Sequence, residues 1–233
     1  PAHPQASPLA FLRRQGAGAM NGTAYDLRRE GALLRAAGEL GFPVADVLGV
    51  FDDPVALLMN VVPGTSRPSS EEMERVAPEY LALIARLHAT EIARFPLEPA
   101  ATITAAIESD LEFWCALASE RGVARKPLLQ LTARVLRETL PDDDRRPSVV
   151  HGDVGPGNFM VDGGRVSAML DWELAHVGDP HEDLAWLWMR GAHSAFGDPL
   201  RRISEYESAS GTRLSRERLR WHLAFVMWKS CIS

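Results

Sequence analysis

The stretch His151-Gly152-Asp153-Val154-Gly155-Pro156-Gly157-Asn158, with Asp171-Trp172-Glu173 beyond it, is the most informative part of the chain. Three glycines and a proline between His151 and Asn158 exclude a helix, so Asp153 and Asn158 belong to a loop. Phe159-Met160-Val161 and Arg165 to Leu170 are β-type runs on either side of Asp162-Gly163-Gly164, which reads as a tight hairpin. A hairpin folds the chain back, so Asn158 before it and Asp171 after it return to one edge. Neighbouring strands lie about 4.8 Å apart, which lets both side chains address one cation. The arms are unequal, so this register is approximate. An amide oxygen beside a carboxylate is hard-oxygen ligation, suited to Mg²⁺ that keeps waters and meets phosphates. Asp153, a further carboxylate just outside that pair, is placed to orient a hydroxyl and accept its proton. These are the parts of phosphoryl transfer to an alcohol.

Working outward, Val149-Val150 reads as a short strand entering the loop. After a Gly178-Asp179-Pro180 turn the chain is helical at His181–Met189, again after Leu200, and finally from Trp221 to Ile232. Toward the start, Leu9-Ala10-Phe11-Leu12 reads as a strand ending at Arg13-Arg14, and a glycine-rich connection runs from Gly16 to Gly22. A helix is predicted over Thr23–Leu40, with Thr23 and Asp26 as candidate caps and Leu27, Leu33, Leu34 and Ala37 as its apolar stripe. Phe42–Val50 and Val55–Val62 read as strands separated by Asp52-Asp53-Pro54. Pro63-Gly64 breaks this pattern, and helical stripes then dominate: Met73, Val76, Tyr80, Leu83, Ile84 and Leu87, then Ile103–Leu117 and Leu128–Leu140. Asp142 to Asp144 reads as a solvated turn, and His88 as a packed or capping histidine. The shift near Pro63 divides the chain into residues 1–62 and 63–233.

These residues resemble a known family. His151-Gly152-Asp153 with Asn158 is similar to the H-G-D-x-x-x-x-N catalytic loop of the aminoglycoside phosphotransferase and choline kinase-like proteins, relatives of protein kinases. Asp171-Trp172-Glu173 stands where that family has its second metal motif. The run from Leu170 through Gly178-Asp179-Pro180 to Asp183-Leu184-Ala185-Trp186 resembles one branch, the kinase-like N-terminal domains of some acyl-CoA dehydrogenases. The resemblance implies an α+β, two-lobed protein-kinase-like fold: a small mixed α/β N-terminal lobe and a larger, mainly helical C-terminal lobe with the catalytic hairpin. It further implies Asp153 as the catalytic carboxylate, Asn158 and Asp171 as the residues holding Mg²⁺, ATP as donor with GTP open, and a small-molecule hydroxyl as acceptor. Asp183 matches an aspartate that supports the catalytic loop from the following helix, and His151 is expected to hold loop backbone rather than move protons. Arg13 stands where kinases carry the strand lysine that touches ATP phosphates, with Glu30 as its partner; an ordinary surface ion pair is the alternative. Leu57 to Gly64 resembles the hinge, with Met59 as an adenine wall and the backbone of Asn60 and Val62 meeting the base. Glu173 faces either the acceptor or water.

Bulk properties narrow the classes further. The chain has 233 residues, room for one large domain or two lobes around a cleft. A formal net charge of −6 argues against a nucleic-acid partner. No apolar run nears the roughly 18–20 residues that span a bilayer, so no membrane partner is expected. Cys115 and Cys231 lie far apart without metal-ligand spacing, which fits a reducing cytoplasm. The oligomeric state is not legible. The sequence lacks an initial methionine, and its last apolar helical pattern stops without a cap. The residues before Arg13 are too few for the hairpin that covers nucleotide in the family. Both lobes are therefore expected to be incomplete at their outer ends.

Two rival motifs fail. In Gly16-Ala17-Gly18-Ala19-Met20-Asn21-Gly22 the third glycine comes one position too late for G-x-G-x-x-G. A two-metal phosphoesterase needs several histidines and carboxylates bridging metals about 3.5–4 Å apart, and no such set follows Asn158. The remaining alternative is a non-catalytic nucleotide- or ligand-binding module with a kinase-like fold.

Overall fold

The computed structural model describes residues 10–16, 23, 25–192 and 196–232. Leu9 of the first expected strand, and the glycine-rich connection after Gly16 up to Gly22, lie outside the described residues. Strands β1 (Phe11–Arg14), β2 (Val47–Asp52) and β3 (Val55–Met59) form an antiparallel sheet in the order β1-β3-β2. Helix α1 (Leu27–Glu39) packs on this sheet and buries Leu27, Leu33, Leu34 and Ala37. The helix begins later than its apolar pattern predicts. The Asp26 carboxylate accepts from the N–H groups of Arg28 and Arg29 and caps it, whereas the Thr23 hydroxyl accepts from the Tyr25 N–H ahead of the helix. Gly31 permits close packing, since a Cβ there would lie 3.0 Å from Leu57 Cδ1 and 3.1 Å from Val50 Cγ2.

Two strands are shorter than expected, and the backbone hydrogen bonds explain why. The Pro43 carbonyl accepts from Met169 N–H at 2.7 Å, and the Asp46 carbonyl accepts from Asn60 N–H at 3.0 Å. Residues 42–46 therefore spend their polar groups outside the ladder, and the chain leaves the sheet at Asn60 rather than Val62.

Helix α2 (Ser70–Ala89) opens on a reciprocal capping box between Ser69 and Glu72 and buries Met73, Val76, Tyr80, Ile84 and Leu87. It is followed by α3 (Ile103–Glu120), α4 (Pro127–Glu138), α5 (Pro180–Gly191), α6 (Pro199–Ser210) and α7 (Arg216–Ser230). Helix α5 packs on α7, and α2 on α6. Helix α7 starts ahead of Trp221 because Ser215 caps it, and it ends where the Cys231 N–H bonds the Trp228 carbonyl. Four short strands lie among the helices: β4 (Ser148–Val150), β5 (Phe159–Asp162), β6 (Arg165–Met169) and β7 (His176–Gly178). The β5–β6 hairpin turns at Gly163 and Gly164, both with positive φ (55° and 77°), as a tight two-residue turn requires. Gly178 lies not in a turn but in β7, which pairs antiparallel with β4. A single 3-10 turn, Trp172–Leu174, connects β6 to β7 and buries the Trp172 ring against Phe42, Phe95 and His151.

In the acidic segment Asp142 and Asp144 are exposed as expected, but Asp143 is not. The Asp143 side chain is 7% exposed and ion-paired with Arg145 and Arg218. Hydrogen bonds from Arg145 bring its carboxyl down to about 2. Among the described residues no helix is long and apolar enough to cross a membrane, and Cys115 and Cys231 are unpaired.

Candidate active site

The loop is held first through its backbone. His151 N–H and Gly152 N–H each donate at 2.8 Å to the two oxygens of Asp183 on α5. Asp183 is fully buried, and such a carboxylate needs this many donors to offset its lost hydration. His88 of α2 supplies another: its Nε2 lies 2.9 Å from Asp183, while its Nδ1 meets the Tyr206 hydroxyl at 2.7 Å. The carboxylate only accepts, so Nε2 carries the proton. Gly152 has φ +79°, and a Cβ there would stand 2.4 Å from the Leu174 carbonyl oxygen. His151 Nε2 donates to the Leu170 carbonyl at 2.9 Å and tilts its ring against Trp172, tying the loop to the segment that follows β6 and carries Asp171.

The loop's functional side chains close on each other. Asn158 Nδ2 donates to the Asp153 carbonyl at 2.8 Å and to Asp153 Oδ2 at 2.6 Å. Arg190, near the end of α5, places Nη1 at 2.7 and 2.8 Å from the two Asp153 oxygens and Nη2 at 3.2 Å from Asn158 Oδ1. The hairpin produces the expected convergence. Phe159 pairs with Met169, and the Asn158 carbonyl accepts from Leu170 N–H at 2.9 Å, which sets Asp171 next to Asn158. Asp171 has φ 62° and ψ 57°, the one positive φ outside glycine among the described residues. Such a conformation costs about 1–2 kcal/mol and is held by its surroundings.

Arg13 reaches this edge from β1. Its Nη1 donates to Glu30 at 2.9 and 3.0 Å and to Asp171 Oδ1 at 3.1 Å, and its Nη2 donates to Glu173 Oε2 at 2.7 Å. Burial pushes the Glu30 carboxyl up to about 7, against the pull of Arg13. Burial likewise raises Glu173, with Asp171 adding to the shift. Arg29 of α1 fixes the next turn by donating to the carbonyls of Glu173 and Ala175.

A cavity of about 680 Å³ opens between the sheet and the hairpin. Arg13, Glu30, Met59, Asn60 and Val62 line one side, and Asn158 and Asp171 the other. The Asn60 N–H is already given to Asp46, and its side chain pairs with Asp46 as well, so its carbonyl is the backbone group left for a ligand. The donor chemistry at the far edge fits Mg²⁺: an amide oxygen and a carboxylate, with three carboxylates around one guanidinium leaving excess negative charge. Among the described residues, Asp110, His176 and Glu182 also lie close enough to hold a metal. There, however, the Lys229 ammonium pairs with both Asp110 and Glu182. Burial lowers the basicity of His176, but Glu182 and Asp110 outweigh it and hold the ring up at about 9.

Arg190 and Tyr206 carry no reading in the sequence, whereas His88, expected to be a packed or capping histidine, is packed with both ring nitrogens bonded. The spacing Asp183–Arg190 carried a usable signal, because seven residues are close to two helical turns and put both on one face of α5.

A profile of the phosphotransferase enzyme family matches residues 10–222. Over 189 residues the chain is 28% identical to acyl-CoA dehydrogenase family member 11 of Pongo abelii, which covers 75% of this chain and 24% of that protein. The chain thus spans about a quarter of that relative's length. It is 31% identical over 145 residues to viomycin phosphotransferase of Streptomyces vinaceus, covering 58% of this chain and 50% of that one. Aminoglycoside phosphotransferase APH(3'')-Id from Streptomyces rimosus superposes with a TM-score of 0.75 at 19% identity, over 95% of this chain and 86% of that one. Its complex with ADP and streptomycin gives 0.70 at 18% identity, over 95% and 87%. These likenesses show the fold: α+β, two-lobed and protein-kinase-like.

Proposed function

The chain belongs to the phosphotransferase enzyme family, and on that premise we propose that it is a Mg²⁺-dependent small-molecule kinase that transfers the γ-phosphoryl group of ATP to a hydroxyl. The observation that carries this reading is the folded-back unit in which Asn158 and Asp171 line one edge of the cavity and Asn158 bonds the Asp153 carboxylate just behind it. The lobe boundary falls at Val62–Pro63, and the adenine lies in the cavity against Met59, with the Asn60 carbonyl and the Val62 backbone as its polar partners. Arg13, oriented by Glu30, points to the phosphates, and Asn158 and Asp171 hold the metal. When bound, Mg²⁺ neutralises phosphate charge and aligns the γ-phosphoryl group.

Asp153 orients the acceptor. Its Oδ2 already takes hydrogens from Asn158 and Arg190, while Oδ1 takes one from Arg190. Oδ1 therefore keeps a lone pair for the acceptor hydroxyl. As the acceptor oxygen bonds to the γ-phosphorus, the bond from that phosphorus to the bridging oxygen of ADP breaks, and the hydroxyl proton passes to Asp153. His151 and Asp183 hold the loop backbone, and Glu173, which pairs with Arg13, is the remaining candidate for an acceptor contact. ADP bound beside streptomycin in the Streptomyces rimosus structure supports a nucleotide donor and a small hydroxylated acceptor.

The test is ADP release from Mg-ATP across a library of hydroxyl-bearing metabolites and antibiotics, with Asp171→Ala as control and GTP run in parallel. A phosphorylated product that disappears in the control is the expected result. Calorimetry showing unchanged Mg-ATP affinity in Asp171→Ala would remove the metal role of that residue. Nucleotide-induced thermal stabilisation without product from any acceptor would favour the binding-module alternative.

A further inference from the structure

Helix α5 grips the 151–158 loop twice, with opposite charges. Near its start, the Asp183 anion accepts the N–H groups of His151 and Gly152. Two turns on, the Arg190 cation meets the other end. Its guanidinium bonds the Asp153 carboxylate, the Asn158 amide oxygen at 3.2 Å and the Pro156 carbonyl at 3.2 Å, so one rigid fork ties together three residues across the second half of the loop. The loop is shaped around that side chain. A Cβ on Gly155 would stand 2.9 Å from Arg190 Cβ and 3.0 Å from its Cδ, and a Cβ on Gly157 would stand 3.3 Å from its Nη2. Both glycines also have positive φ, 147° and 96°. Glycine is therefore required at 155 and 157 partly because Arg190 lies across them.

We infer that Arg190 is a positioning residue for phosphoryl transfer: it locks the Asp153 carboxylate and the Asn158 amide in one arrangement and acts through them rather than on the substrate. This rests on the kinase reading of the site. With Arg190 in place, Oδ1 of Asp153 points where its remaining lone pair is usable. Without it, among the described residues only the Asn158 contact restrains the carboxylate.

The experiment compares Arg190→Lys, Arg190→Met and Arg190→Ala with Asp153→Asn, following ADP release from Mg-ATP with water as acceptor. Lysine keeps the charge but has no fork, so it cannot hold three loop groups at once. The Lys and Met variants should lose about 10- to 100-fold in kcat, the scale of a small misplacement of a reacting group, with KM for Mg-ATP changed less than about threefold. Added guanidinium should restore part of the turnover of Arg190→Ala and none of that of Asp153→Asn. A readout on the nucleotide-free protein needs no turnover: amide hydrogen exchange over residues 152–158 should accelerate in Arg190→Met while exchange in α2 and α7 stays at its wild-type rate.

Wild-type kcat and unchanged loop exchange in Arg190→Met would overturn the inference while leaving the kinase reading intact, provided Asp153→Asn is inactive. A rise in KM with kcat unchanged would make Arg190 a nucleotide-binding group and equally overturn it. Exchange accelerated throughout the protein, without guanidinium rescue, would reduce Arg190 to a general stabiliser. If Asp153→Asn itself keeps wild-type turnover, the kinase reading falls and this inference with it.

Discussion

Two arginines approach the carboxylates of the cleft, and their charge balance differs. Arg13 on β1 stands among three carboxylates, Glu30, Asp171 and Glu173. Among the described residues Arg190 on α5 pairs with one carboxylate, Asp153, and also bonds a neutral amide and a carbonyl. The first group is short of positive charge, and one divalent cation would offset the remainder. In the second group the described Arg190–Asp153 pair is balanced in charge, which would suit the proposed role of Asp153 in orienting a neutral hydroxyl. In this account, cation and phosphates gather around Asp171, and the acceptor is handled at Asp153.

Breaking the Arg13 side should give the largest binding effect. Asp171→Ala removes a carboxylate that pairs with Arg13 and that, in the proposed function, would hold the metal, so Mg-ATP affinity by calorimetry should fall by about 100-fold or more. Arg13→Met should follow, with a loss of about tenfold in Mg-ATP affinity, because a charge-assisted contact is worth about 1.5–3 kcal/mol. An unchanged dissociation constant would assign Arg13 to holding Glu30 alone.

Next comes the backbone of the balanced side. Gly152→Ala forces a Cβ against the Leu174 carbonyl at a positive φ, and it should destabilise the protein by about 2–4 kcal/mol in chemical denaturation. A change below about 0.5 kcal/mol would show that the Asp183 grip on the loop tolerates rearrangement.

The smallest effect is a pH dependence. The Glu30 carboxyl is raised by burial to about 7 in the folded protein, above its ordinary carboxylate range. Its contribution to stability is therefore fully present at acid pH, below the unfolded value, and is lost as pH rises through about 7. The ionised partner that orients Arg13 forms over the same rise. Mg-ATP affinity should thus increase by about two- to fivefold between about pH 6 and 8 and flatten in Glu30→Gln. An equal slope in both proteins would place the titration elsewhere.

The contrast also explains what the sequence made legible. Asp153, Asn158 and Asp171 could be grouped because glycines, a proline and a two-glycine hairpin are local signals, and a hairpin has a fixed consequence for its two ends. Arg13 and Glu30 were reached through family resemblance, and their pairing at 2.9 Å follows from α1 crossing the sheet. Arg190 was missed because its partner depends on how α5 lies against a loop far back in the sequence, and its residue type alone fits a solvated helix end. Strand β7 was missed because three residues carry no usable alternation, and its pairing with β4 is set by the packing of the segments around it. Asp143 looked like a solvated turn residue until α7 brought Arg218 onto it. In each case the missing information was tertiary.

Whether Asp153 is the acceptor carboxylate of a phosphotransferase is decided by one comparison. Asp153→Asn keeps the shape of the side chain but not its charge or proton affinity. Phosphotransfer from Mg-ATP to the best acceptor from the screen should fall by about 100- to 10,000-fold, while Mg-ATP affinity by calorimetry stays within about threefold of wild type. Wild-type turnover in Asp153→Asn, with the nucleotide bound equally well, would contradict the account.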